Sequence, residues 1–181
     1  MKDAPLSELL RQANINTDNQ LMAFYDSSWK DCPYTGISTG AYIIFYQSGP
    51  IDHGTHAPGP VSQSSAEIEY NLACTTGMYL AHFRMLIHEL LNEDPDIVPE
   101  ESPIIILDRK YAVCIYNNGK DNKHTRNITR RVHLVRNGEN CKINKIDWCE
   151  GGLKLADIEI NNVGENDLNT RMKYIMVRLD N

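Results

Sequence analysis

Four carboxylates stand at positions where the chain could gather them: Asp26, Glu69, Asp108 and Asp157. Asp26 ends an apolar run at residues 20–26, and Asp108 follows the run Ile104-Ile105-Ile106-Leu107. Both runs read as buried strands, and in open α/β sheets ligands bind outside the carboxyl ends of the strands. Glu69 falls near the start of a long helical stretch and Asp157 near the start of another. A single Asp after a strand serves as readily as a turn or helix cap, and a lone Glu on a helix as a solvated side chain. Four acids at element ends are different, because brought together they repel unless cations compensate them. Two divalent ions about 4 Å apart would do so and would clamp the attacking and leaving oxygens of a phosphodiester. Hard carboxylate oxygens favour Mg²⁺ or Mn²⁺ over zinc.

The elements that must position these acids can be read from periodicity. Residues 39–47 are β-branched and aromatic and predict a second strand. Ser48-Gly49-Pro50 reads as a turn and residues 51–56 as a third strand. Ser64, with Glu67 three places on, has capping-box spacing and opens a helix to about Leu91. Leu72, Met78, Leu80, Phe83, Leu86, Ile87, Leu90 and Leu91 supply its predicted apolar face. Residues 103–107 predict a central strand, 109–117 a short helix, and 123–138 a basic helix closed by Gly138. Cys141 to Trp148 alternates as a strand. Gly151-Gly152 leads into the helix carrying Asp157, and a last amphipathic segment runs from about Leu168 to Leu179. Residues 1–18 read as a leader or linker remnant, and 19–181 as one α/β domain, a mixed sheet with helices on its faces.

Beyond periodicity, six strings in order resemble the ribonuclease H domain of copia-type LTR-retrotransposon polyproteins. They are FYDSSW (24–29), TGAYIIFYQSGPI (39–51), SQSSAEIEY (62–70), IIILDRKYAV (104–113), HTRNITRRVHLVRNGE (124–139) and IDWCEGGLKLADI (146–158). The resemblance covers about residues 20–180. It implies a ribonuclease H-like fold with a five-stranded mixed sheet flanked by helices, and an endonuclease that uses two Mg²⁺ or Mn²⁺ ions to hydrolyse the RNA strand of an RNA–DNA hybrid. It places the metal-binding catalytic acids at Asp26, Glu69, Asp108 and Asp157, and leaves Glu67 as a cap or surface residue. It also implies an upstream reverse transcriptase domain as partner.

The chain departs from the family pattern at Tyr111, at Asn127-Ile128 where a His-Ile pair is usual, and at Ile160-Asn161 where a Thr-Lys pair is usual. These changes support a rival reading, a degenerate or domesticated scaffold that binds protein or nucleic acid. An integrase-like nuclease of the same superfamily is a second rival, but the polar leader carries no His/Cys zinc module.

With Lys+Arg 18 against Asp+Glu 24, the net charge of −6 makes the chain a poor stand-alone binder of phosphates. The candidate contact patch is the basic segment with Lys123, Arg126, Arg130 and Arg131. Ser27 and Ser28 beside Asp26, and Gln63 before the helix, are candidates for reading 2′-hydroxyls. Five cysteines at irregular spacing, no signal-like leader and no membrane-length apolar run suggest reduced thiols and a cytoplasmic, membrane-free chain, monomeric by default. His53 and His56 lack further ligands at zinc spacing, and Trp29 and Trp148 read as core residues.

Overall fold

The computed structural model describes residues 10–11, 21–28, 34, 37–47, 49–57, 65–91, 102–107, 137, 145–149, 155–160 and 164–175. Strands β1 (Leu21–Ser28), β2 (Thr39–Tyr46) and β3 (Gly49–His56) come first. Helix α1 (Ser65–Leu90), β4 (Ile104–Leu107) and β5 (Lys145–Trp148) follow. A 3-10 segment (Leu155–Glu159) and helix α2 (Glu165–Ile175) close the order. The strands form one five-stranded mixed sheet in the order β3-β2-β1-β4-β5. The β1–β2 and β2–β3 pairs are antiparallel, while β4 joins β1, and β5 joins β4, in parallel.

β1 lies at the middle of the sheet because its side chains are apolar on both faces. Leu21, Ala23 and Tyr25 point towards α1, in a cluster with Ile44, Ile105, Leu107 and Ile146 from the sheet and Ile68, Tyr70, Leu72, Ala73 and Leu80 from the helix. Met22 and Phe24 point the other way, joining Ile43, Phe45, Ile104, Ile106, Cys149, Leu155 and Ala156. Phe24 and Phe45 meet edge to face there, with ring centroids 5.8 Å apart. Leu10, from the polar leader, is buried in the same cluster.

Three expectations change. β1 does not stop at Asp26 but runs on to Ser28, so the acid sits inside the strand with a neighbour on either side. The first hairpin turn falls one step earlier than Ser48-Gly49-Pro50, because Tyr46 pairs with Gly49 and leaves Gln47 and Ser48 between the strands. Gln47 takes the left-handed φ of 47°, and Pro50 is tolerated because β3 is an edge strand.

The buried face of α1 also differs. Residues 68–73 are all buried, whereas Met78, Leu86, Leu90 and Leu91 from the predicted face are exposed. Met78 points about 200° away from the buried Leu80, and for Leu90 and Leu91 the reason is length. A helix of 26 residues spans about 39 Å, while strands of 8 residues span roughly 27 Å. The N-terminal half of α1 is thus enclosed, and the C-terminal half overhangs the sheet. The predicted helix at 109–117 lies outside the described residues, as does the basic segment 123–138 apart from Asn137, which is helical. Among the described residues, no helix is long and apolar enough to cross a membrane.

Candidate active site

Asp26 owes its position to alternation along β1. It follows Met22 and Phe24 on the face that receives the 3-10 segment, and pairs in register with Ala41 of β2. Only 4% of the residue is exposed. Its Oδ1 accepts a hydrogen bond from the backbone N–H of Ser27. Ser27 is buried and Ser28 half-buried. Phe24, two residues before Asp26, pairs with Ile106 of β4, one residue before the end of that strand. Asp108 itself lies outside the described residues, as do Gln63, Lys123, Arg126, Arg130 and Arg131.

Glu69 is carried by the enclosed half of α1, between the core residues Ile68 and Tyr70, and is 5% exposed. Glu67, two residues earlier, is half-buried. Residues two apart on a helix point about 200° apart, so the two acids cannot share one environment. The height of α1 above the sheet is set by Gly40 of β2, where a Cβ would lie 2.3 Å from Leu72 Cδ2. Only a glycine lets the helix come this close, and Glu69 is three residues from that contact.

Asp26 and Glu69 are the two buried acidic residues among the described residues. Burying an ionised carboxylate costs several kcal/mol or more unless hydrogen bonds or a cation compensate it. A bound cation is one form that compensation can take. Carboxylate oxygens are donors that suit a hard divalent cation such as Mg²⁺ or Mn²⁺; Asp26 offers one from the face of β1 that receives the 3-10 segment, and Glu69 from α1, which covers the other face.

Asp157 reaches the same side of the sheet by another route. Leu155 and Ala156, both fully buried, fasten the 3-10 segment to the second cluster. Asp157 is then engaged by a residue that sequence reasoning did not single out. Arg171 of α2 places Nη1 2.5 Å from Asp157 Oδ2, and their side chains are 12% and 18% exposed. The neighbouring Glu159 contacts His53 Nδ1 at 3.3 Å, tying the segment to the β3 edge. Among the described residues, no three of His, Cys, Asp or Glu stand together closely enough to hold a metal ion.

A second polar cluster lies on the α1 side of the outer hairpin. The Tyr42 hydroxyl donates to Asp52 Oδ2 at 3.1 Å. Burial, and then that carboxylate, push the Tyr42 pKa up to about 12. The His56 ring lies tilted against Tyr42 with both ring nitrogens buried and without a hydrogen-bond partner among the described residues, and burial lowers its pKa.

No family model matches the chain, and no curated protein matches it. Solved structures do. Ribonuclease H1 from the halophilic archaeon Halobacterium salinarum NRC-1 superposes with a TM-score of 0.57 at 11% identity, covering 83% of this chain and 98% of the other. This is a ribonuclease H-like fold. The N-terminal ribonuclease H domain of a Mycobacterium tuberculosis protein, solved as a fusion with maltose-binding protein, agrees. Its TM-score is 0.51 at 11% identity, covering 84% of this chain and 96% of the other. At that identity the likeness is one of fold.

Proposed function

We propose that this chain is a ribonuclease H-type nuclease that uses two divalent ions, Mg²⁺ or Mn²⁺, to hydrolyse the RNA strand of RNA–DNA hybrids. The observation that carries the reading is the burial of Asp26 and Glu69, two of the three described acids among the four that the sequence strings single out, on a ribonuclease H-like fold. Asp26 and Glu69, with Asp108 and Asp157, would hold the ions. When bound, the ions supply an activated water and charge stabilisation for the leaving 3′-oxygen. The chain's own part is to hold the carboxylates in place: pairing of β1 with β2 fixes Asp26, and the close approach at Gly40 holds the stretch of α1 that carries Glu69. Ser27, Ser28 and Gln63 would face the sugar edge, and Lys123, Arg126, Arg130 and Arg131 would meet phosphates.

The copia-like strings place such a domain behind a reverse transcriptase in a polyprotein, acting in the cytoplasm to remove template RNA. A partner that grips the hybrid fits a chain whose own charge is −6.

The Asp157–Arg171 contact favours a second reading, a domain that keeps the fold as a binding scaffold. A substrate panel separates the two. The full chain is incubated with a hybrid, single-stranded RNA, duplex RNA and duplex DNA, with each metal. Cuts confined to the RNA of the hybrid support the nuclease. Binding of the hybrid with no cuts in any substrate supports the scaffold.

A further inference from the structure

Arg171 contacts Asp157, one of the four candidate acids, and its setting is not that of a surface pair. It lies 14 residues beyond Asp157 on a separate element, and both side chains are mostly buried. Helix α2 has no buried residue of its own. Its described hold on the domain consists of Tyr174 and Ile175, packed partly buried against the second cluster, and the Arg171 guanidinium on Asp157. One cation thus fastens a loosely seated helix to one of the four candidate acids. Asp157, meanwhile, forms no group of metal-holding side chains with the other described acids.

We propose that Arg171 is a counter-ion latch on the metal site, holding Asp157 until a divalent ion displaces it. The inference rests on the nuclease reading, because it takes Asp157 as a metal ligand. Its physical basis is charge. A guanidinium in contact with the carboxylate neutralises it in a poorly solvated setting, and a divalent ion arriving at the same carboxylate meets a fixed like charge a few ångströms away. Ion binding therefore has to break the Asp157–Arg171 contact and loosen α2. Anything that pulls α2 away, such as a partner domain binding beside it, would tighten ion binding without touching an acid.

The test is isothermal titration of Mg²⁺ and Mn²⁺ into the full chain. The wild type is compared with Arg171→Gln, Arg171→Lys, Asp157→Asn and the Arg171→Gln/Asp157→Asn pair, each checked for folding by circular dichroism. The latch predicts binding about tenfold tighter in Arg171→Gln, within the range by which partners of ligating groups tune affinity. Arg171→Lys, which keeps the charge, should stay near wild type, and the double variant should gain nothing over Asp157→Asn. In the wild type, the Arg171 side-chain NMR resonance should move in step with ion occupancy, a readout that needs no variant. Equal or weaker binding in Arg171→Gln, or a stationary Arg171 resonance at saturating metal, overturns the latch and leaves the metal site standing. No binding of either ion by the folded wild type overturns the site reading, and the latch with it.

Discussion

Replacing Gly40 with alanine tests how the fold positions its acid. A Cβ at that position would stand 2.3, 2.7 and 2.9 Å from Leu72 Cδ2, Cδ1 and Cγ. Carbon atoms settle at about 3.5–4.0 Å, so something must retreat by roughly 1 Å. A χ2 change leaves Cγ in place and cannot relieve all three contacts, and a χ1 change finds little room because Leu72 is fully buried in its cluster. The helix has to lift. Overpacking of this kind costs about 1–3 kcal/mol, which for a chain of this size lowers Tm by roughly 3–10 °C. Glu69 rides on the same helix, and displacement by about 1 Å can lower a catalytic rate by as much as 100-fold. Thermal unfolding and hybrid cleavage should therefore both fall in Gly40→Ala. Leu72→Ala alone should cost about 2–5 kcal/mol through its cavity. Combined with Gly40→Ala it should cost less than the sum by about 1 kcal/mol or more, since the new methyl enters the vacated space. A Gly40→Ala chain with wild-type Tm, or strict additivity in the pair, would refute the claim that this glycine sets the height of α1.

Other consequences follow from the same coordinates. Gln47→Gly should leave stability unchanged or raise it by up to about 1 kcal/mol, because it relieves a left-handed non-glycine residue; urea unfolding measures it. Tyr42→Phe should cost about 0.5–1.5 kcal/mol by removing the donor to Asp52, again read by urea unfolding. His56 gives a pH signature. Its folded pKa lies below the ordinary 6.5, so the unfolded chain takes up the proton first as pH falls. Stability that is intact above pH 6.5 is then lost progressively below it. Against a His56→Asn reference, the wild type should lose stability as pH falls from 6.5 towards the folded pKa, and parallel curves would exclude the effect. Saturation with Mg²⁺ at 100 times its Kd should stabilise the wild type by about 2.7 kcal/mol, and this gain should vanish in Asp26→Asn.

Much of this architecture is legible in the chain because its strands are marked by local chemistry. The unbroken apolar runs of β1 and β4 announce strands covered on both faces, and both are interior in the sheet. The choice of Glu69 over Glu67 came from the resemblance of the surrounding string, since helical spacing says only that the two acids face apart. What periodicity could not show is tertiary. It cannot see that the strands are too short to cover all of α1, so Leu90 and Leu91 look like core and stand exposed. Ser-Gly-Pro draws the eye to a turn, yet pairing of Tyr46 with Gly49 puts Gln47 at the bend. Arg171 reads as an ordinary helix-surface residue, because its partner lies in another element. Gly40 carried a usable signal, a glycine inside a strand, which often marks close approach of another segment.

The central claim is that Asp26 anchors a metal centre that cuts RNA paired with DNA. Its most direct test is cleavage of an end-labelled hybrid by the wild-type chain and by Asp26→Asn, with Mg²⁺ and with Mn²⁺. The account predicts metal-dependent cuts in the RNA strand that disappear in the folded variant. Cuts that persist in Asp26→Asn, or none from the folded wild type with either metal even when a reverse transcriptase domain is supplied, would contradict it.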